Sequence, residues 1–219
     1  MKPNDIKTSK NADELRRGDP EKKNISYVLA KLVRVATVPS VAASVAVCAI
    51  YAYDARFIGG IANFILALFF LGILPMLAYP LQPCIPGFRG KGREGQRNLA
   101  MVFAFVGYLL GCIVNVFMSA PTFLWIFYLD YLLSGIGIIV FNKVFHLRAS
   151  GHGCGVAGPI AALAYLGIYP ALIVGIPIYA ASFWASVKMK RHTPWQFIGG
   201  SLIPIAVLML LVAGFSCFS

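Results

Sequence analysis

The sequence has few charged residues, and most of them carry the same sign. Only 12% of the 219 residues are charged, with 19 Lys and Arg against 8 Asp and Glu. A soluble domain contains about 25% charged residues, so this chain has too few to cover a surface in water. Hydrophobic residues make up 59% of it, and the mean hydropathy is +0.76. The composition therefore predicts an all-α fold, a polytopic transmembrane helix bundle.

The chain also lacks the residue patterns of a disulfide scaffold or a nucleic-acid-binding protein. Its five cysteines form no Cys-x-x-Cys pair, and most lie in or beside apolar segments, where cysteine acts as a small hydrophobic side chain. The basic residues that give the net charge of +11 lie between apolar runs, which is a membrane-topology pattern. The expected partner is therefore the lipid bilayer and not a nucleic acid.

The polar and apolar parts of the chain divide it into two regions. Residues 1–35 form a polar N-terminal tail with an amphipathic segment, and residues 36–219 form the membrane domain. Within the tail, residues 25–36 mix apolar side chains with Lys31 and Arg34. That spacing is typical of a short amphipathic helix at a membrane surface.

The membrane domain contains apolar runs long enough for six or seven spans at about 20 residues each. We place these spans at 36–53, 57–80, 98–118, 122–142, 153–168, 171–187 and 194–216. The count is six or seven because glycine and proline interrupt residues 153–187, although both residues are tolerated in membrane helices.

Three connections between the spans are long and basic, namely 81–97, 143–152 and 188–193. Two spans separate each of them from the next, so all three emerge on the same face of the bilayer. The N-terminal tail joins them there. The positive-inside rule predicts that this face and the N-terminus are cytosolic, and we expect the cell (plasma) membrane.

All three histidines lie in these basic connections: His146, His152 and His192. We expect no special role for His146. A helical hairpin between the other two would return the chain to the same surface and bring both imidazoles together with several cations. Clustered cations favour an anion, and phosphate suits guanidinium groups best. Two histidines beside a phosphate can divide the chemistry, because one attacks phosphorus while the other protonates the leaving oxygen.

Three segments resemble the motifs of the type-2 phosphatidic acid phosphatase superfamily. Ala149-Ser150-Gly151-His152 is similar to its Pro-Ser-Gly-His motif, and residues 185–196 resemble its third motif, Ser-Arg-x5-His-x3-Asp. Residues 90–97 match the first motif, Lys-x6-Arg-Pro, only loosely, because the spacing is one residue short and Asn98 replaces the proline. The resemblance covers about residues 57–216 and implies a six-helix phosphatase-like core.

The resemblance also implies a role for each matching residue. His192 would be the nucleophile that forms a phosphohistidine, and His152 would be the general acid. The residues implied to bind the phosphate are Lys91, Arg97, Ser150 and Gly151. The family needs no metal for this chemistry, and no cofactor is expected.

Two positions depart from the family pattern. Ser186 stands where the family has a phosphate-binding Arg, and we predict that Lys190, with Arg191 or Arg148, replaces it. Gln196 stands where the family has the Asp that orients the nucleophilic histidine. Its side-chain carbonyl can still accept a hydrogen bond from the imidazole, so an orienting role is predicted for it.

Two acidic residues receive separate interpretations. Asp130 lies within the fourth predicted span, where a carboxylate marks either a functional site or a buried structural group. Glu94 is interpreted as a salt-bridge partner of Arg93 or Arg97.

The function expected from these features is enzymatic. The chain would be a phosphoric monoester or diphosphate hydrolase that acts on an amphiphilic substrate, a lipid phosphate or an isoprenoid diphosphate. The first alternative is a phosphotransferase of the same superfamily, which passes the group to an alcohol. The second is a catalytically degenerate protein that binds an anionic lipid. A transporter is less favoured because no inverted repeat is evident, and a haem site built from the three histidines is the weakest alternative.

Overall fold

The computed structural model describes residues 25–217, which form eight α-helices and contain no β-strand. In chain order the helices are α1 Ile25–Ala36, α2 Pro39–Tyr53, α3 Ile61–Cys84, α4 Gly92–Phe117, α5 Thr122–Lys143, α6 Gly151–Tyr165, α7 Tyr169–Lys188 and α8 Pro194–Cys217. Helix α3 includes a π-helical stretch, Leu68–Ile73. The all-α fold predicted from composition is confirmed. The predicted polar tail falls largely on residues 1–24, outside the described residues.

Five of the described helices are long and apolar enough to cross a membrane: α3, α4, α5, α7 and α8. Helices α1 and α2 meet at a 56° bend and add a sixth span if the bent pair is counted as one. These helices fit the integral membrane protein that the composition predicts.

The exact number of spans, six or seven, stays a prediction. Spans were predicted at 36–53 and 153–168, but α2 and α6 each contain only 15 residues. At 1.5 Å per residue such a helix is about 22 Å long, shorter than a hydrocarbon core of about 30 Å. Local sequence explains both lengths. Pro39 occupies the first turn of α2, where proline is tolerated, and Gly167 takes a positive φ of 71° just after α6.

The main hydrophobic core surrounds the N-terminal half of α5. Phe127 and Tyr128 are almost completely buried there. The ring of Tyr128 lies against Gly111 of α4, so closely that any larger residue at 111 would collide with it. One turn further along α5, Asp130 is also buried and accepts a hydrogen bond from the hydroxyl of Ser134 at 3.1 Å. This is the structural arrangement expected of a buried, hydrogen-bonded carboxyl group.

Helices α1, α6, α7 and α8 meet at one end of the bundle. Helix α1, which has the predicted bounds of the amphipathic segment, packs on α7 through Ala30, Ala185 and Met189. Helix α8 approaches the start of α6 closely, because Gly153 and Gly200 leave no side chain between the two backbones. Two of the three basic connections, 143–152 and 188–193, therefore lie at this end of the bundle, beside the start of α6.

Candidate functional site

The two histidines singled out by the sequence lie at the same end of the bundle. His152 is in the first turn of α6, and His192 follows α7, so the hairpin of α6 and α7 returns the chain to where it began. The imidazole of His192 is close enough to act electrostatically on that of His152. The structure thus brings together two residues that are 40 positions apart in the sequence.

Ser150 fixes the place where α6 begins. Its hydroxyl oxygen accepts a hydrogen bond from the N–H of Gly153 at 3.1 Å, which is a helix N-cap. Its own N–H donates to the carbonyl oxygen of Gln196 at 2.9 Å, and the residue is completely buried. The close contact of Gly200 with this backbone allows α8 to pack there. The hydroxyl of Ser150, predicted to hold phosphate, is therefore engaged in capping.

Thr37, at the bend between α1 and α2, holds His152. Its hydroxyl donates to the carbonyl oxygen of Val33 at 2.8 Å, and its oxygen lies 3.0 Å from Nε2 of His152. Since a hydroxyl has one proton, the oxygen accepts a hydrogen bond from Nε2–H. This leaves Nδ1 of His152 with the lone pair of the neutral ring. Ser182 of α7 lies against the same hydroxyl, at 3.4 Å.

His192 is half-buried in a cationic environment. Burial is the main cause that lowers the pKa of its imidazole. The nearby charge of Arg34 lowers this pKa further, and Arg97 makes a smaller contribution. The side chain of Gln196 and the backbone of Arg148 act in the opposite direction. Neither makes a well-aligned hydrogen bond to Nδ1, which is buried and has no partner within residues 25–217. His192 is therefore a neutral imidazole at pH 7.

The side chain of Gln196 helps to begin α8. Its Oε1 accepts a hydrogen bond from the backbone N–H of Thr193 at 3.1 Å, and the backbone N–H of Gln196 donates to the hydroxyl of Thr193 at 3.3 Å. This reciprocal pair is a capping box, and Pro194 occupies the first helical position, where proline is favoured. The sequence Thr-x-x-Gln carried that signal. An amide oxygen has two lone pairs, and the side chain of Gln196 also acts on His192, whose pKa it raises, so its orienting role stays a prediction.

Two open cavities lie side by side at this end. The first, of about 340 Å³, is lined by Arg148, Val187, Lys190, Arg191, His192, Thr193, Pro194 and Gln196. The second, of about 440 Å³, shares Arg148 and Gln196 with the first and is otherwise lined mainly by apolar residues, including Phe141, Leu147 and Trp195. Among the described residues, no carboxylate lines either cavity. The pair can accommodate an anionic group beside an apolar one.

The other predicted phosphate ligands lie outside these cavities. Lys91 and Gly151 are exposed and line neither cavity. Arg97 is also exposed, but it acts electrostatically on His192. The predicted ion pair of Glu94 is wrong, because the one ion pair within residues 25–217 joins Asp54 and Arg56. Glu94 is exposed in the first turn of α4, where water and the helix dipole stabilise its charge.

The residue that sequence reasoning missed is Arg34. Its Nη1 donates a hydrogen bond to the hydroxyl of Ser186 at 2.8 Å. Ser186 is the position where the resemblance led us to expect an arginine, and Lys190 was the predicted replacement. The amphipathic pattern of residues 25–36 gave a helix, but it did not indicate that the helix packs on α7. The position of Arg34 depends on that tertiary contact.

Comparison with known proteins identifies no relative, since no family model, no curated protein and no solved structure matches this chain. The resemblance to the phosphatase superfamily therefore depends on the short motifs alone.

Proposed function

We propose that this protein is a membrane-embedded, metal-independent phosphatase that hydrolyses a lipid phosphate or an isoprenoid diphosphate. The observation that carries the proposal is a cavity that His192 lines together with cations and with no carboxylate from residues 25–217, while His152 lies near enough to His192 to be influenced by its charge. His192 lines that cavity together with Arg148, Lys190 and Arg191. Such a set of groups binds an oxyanion and supplies both a nucleophile and a proton donor.

In the first step, a ring nitrogen of His192 attacks phosphorus. Burial and the charge of Arg34 keep this imidazole neutral, so its lone pair is available. A bond from nitrogen to phosphorus forms as the bond from phosphorus to the leaving oxygen breaks. Nδ1 of His152 gives its proton to that oxygen, which departs as an alcohol or as a phosphate monoester.

In the second step, water attacks the phosphohistidine. His152, now neutral, takes a proton from the water as the new bond from oxygen to phosphorus forms and the bond from phosphorus to His192 breaks. Inorganic phosphate leaves and His192 recovers its lone pair. His152 must be protonated before the first step. Burial, and then the charges of Arg34 and His192, lower its pKa to about 3 in the ligand-free protein. The negative charge of a bound phosphate raises that pKa by offsetting the cations.

The two adjoining cavities support an amphiphilic substrate. A phosphate beside Arg148 and Arg191 would place the apolar part of the molecule against Phe141, Leu147 and Trp195. Five long apolar helices would hold this site at a bilayer surface. On the charge of the N-terminal tail and the basic connections, we propose the cytosolic face of the plasma membrane.

The proposal is tested by measuring phosphate release from a panel of lipid phosphates and prenyl diphosphates. We expect turnover by the purified wild type and a loss of at least about 1000-fold in His192→Ala, because the substitution removes the nucleophile on which the intermediate forms. Equal activity of the two proteins would refute the proposal. Product analysis with added alcohols separates hydrolysis from transfer, since a transferase yields a new phosphate ester.

A second candidate function is binding of an anionic lipid without turnover. It is favoured by the side chain of Gln196, which carries no charge and whose carbonyl is used in the capping box with Thr193. An imidazolium at His192 would therefore lack a carboxylate to stabilise it. Tight binding of a lipid phosphate by wild type, with no phosphate release from any member of the panel, would favour this function over hydrolysis.

A further inference from the structure

Arg34 reaches the histidine site from a helix that lies outside the motif-bearing region. It is half-buried, and its Nη1 is bonded to the hydroxyl of Ser186 on α7. It acts electrostatically on both His152 and His192. A single guanidinium group from α1 is therefore near both imidazoles.

Among residues 25–217, the surroundings of Arg34 contain positive charge and no compensating carboxylate. Arg191 and Arg93 are close enough to repel it. Residues 25–217 include only three acidic residues, Asp54, Glu94 and Asp130. None of the three forms an ion pair with Arg34. Withdrawing a guanidinium from water among other cations is unfavourable unless an anion is bound there.

The N–H donors of the Arg34 guanidinium suit an oxyanion. A guanidinium has five N–H donors in a planar fork, and the hydrogen bond to Ser186 uses one of them. The remaining donors can form the paired hydrogen bonds that arginine makes with phosphate oxygens. Ser186 is a neutral partner, which a phosphate would displace or share.

We infer that α1 completes the site, with Arg34 as a direct ligand of the phosphate group that lies between His152 and His192. The inference deepens the proposed function and rests on it for the identity of the anion. It adds residues 25–36 to the functional unit, although the motif resemblance begins near residue 57. In this arrangement α1 contributes a ligand as well as a membrane-surface anchor.

The experiment measures the affinity of the purified full-length protein for inorganic phosphate by calorimetry, without any need for turnover. We compare wild type with Arg34→Gln, which removes the guanidinium, and with Lys31→Gln, which removes a charge from an exposed position of the same helix. We expect a roughly ten- to hundredfold loss of affinity in Arg34→Gln, as for a charged hydrogen-bonding pair, and less than about a threefold loss in Lys31→Gln. Equal losses in the two variants, or none, would overturn the inference.

A third variant separates an anion ligand from a helix-packing residue. Ser186→Ala removes the partner of Arg34 but keeps the guanidinium. If Arg34 binds the anion, this variant should hold phosphate within about threefold of wild type, because a neutral competitor has been removed. If Arg34 only fastens α1 to α7, Ser186→Ala should lose affinity as Arg34→Gln does. Thermal unfolding of each variant shows whether the fold is retained.

The outcomes for the two proposals can be distinguished. If wild type binds phosphate, depends on Arg34 and hydrolyses nothing in the panel, the hydrolase proposal fails and the inference stands. If wild type hydrolyses its substrate and Arg34→Gln behaves like Lys31→Gln, the inference fails and the hydrolase proposal stands. Absence of phosphate binding by wild type would overturn the inference directly.

Discussion

The two ends of the bundle use their charges in opposite ways. At one end, Asp54 and Arg56 are paired with each other through hydrogen bonds of 2.6–3.0 Å. At the other end, Arg34 and Arg191 lie near His192 with no carboxylate in the cavity that His192 lines. The first arrangement pairs its two charges, whereas among residues 25–217 the second has no carboxylate to pair with. Unpaired cations of this kind are the ones expected to bind an anionic ligand, as the proposed function requires.

Among the substitutions that test this contrast between the two ends, His152→Ala is expected to change the rate of hydrolysis most. Without the proton donor, hydrolysis of an alkyl phosphate should slow by about 10²–10⁴-fold. Hydrolysis of an aryl phosphate with a good leaving group should change much less, because that oxygen departs without a proton. The measurement is kcat on both substrates. As a control at the opposite end, Arg56→Gln should leave both rates within about twofold, and a similar loss on both substrates in His152→Ala would contradict the role.

A smaller but still large effect is expected where α8 meets the start of α6. Gly200→Ala would drive a methyl group into the backbone of Ser150. We expect a loss of about 1–3 kcal/mol in the free energy of unfolding, together with a marked loss of activity. Gly214→Ala is the matched control on the same helix, because its added Cβ meets nothing within 4 Å. Equal behaviour of the two variants would show that the close approach at Ser150 does not hold the site.

A more modest effect is expected from Thr37→Val, which keeps the shape of the side chain but removes the acceptor for Nε2 of His152. Because Thr37 is a positioning residue, kcat should fall roughly tenfold while KM stays nearly constant. Thr37→Ser should restore kcat. The control is Ser44→Ala on α2. It removes a hydroxyl that donates a hydrogen bond to the backbone carbonyl of Ser40. An equal fall in kcat for both would count against this role of Thr37.

The smallest effect concerns the protonation of His192. Its pKa is lowered, so the unprotonated nucleophile should persist at lower pH than for an ordinary histidine, and kcat/KM should rise with pH through that lowered value. The groups that shift it are Arg34 from α1, Arg97 from α4, Gln196 from α8 and the backbone of Arg148. Removing the positive charge in Arg34→Gln should move the midpoint upward.

Imidazole NMR titration of the ligand-free protein measures this midpoint without interference from the ionisation of a substrate. Lys31→Gln should leave it where it is in wild type. A downward shift in Arg34→Gln, or the same shift in both variants, would contradict the electrostatic account.

Sequence periodicity and composition were sufficient for the helices and for the amphipathic segment, because these depend on local hydrophobicity. They were insufficient for the start of α2, which begins at Pro39 after a bend, whereas the segment 36–53 was predicted as one span. The 15 residues of α6 are close to the 16 of the predicted segment 153–168. The pairing of His152 with His192 followed from the spacing of a helical hairpin. These features require no knowledge of how distant helices pack.

The partners of the site residues could not be read from the sequence in the same way. The contact between Arg34 and Ser186 joins positions 152 residues apart, and no local pattern specifies it. The pattern Thr-x-x-Gln does indicate that Gln196 caps α8. The family motif, which has Asp at this position, indicated instead that the residue orients the imidazole of His192. The burial of Ser150 depends on Gly200, which lies 50 positions away.

A phosphohistidine on His192 can be detected in a single-turnover reaction of the purified protein with a substrate that carries a radiolabelled phosphate. We expect a labelled protein whose label is stable to alkali and lost in acid, as for a phosphorus–nitrogen bond, and no such label in His192→Ala. Turnover by wild type without any labelled intermediate, or the same label in His192→Ala, would contradict this role of His192.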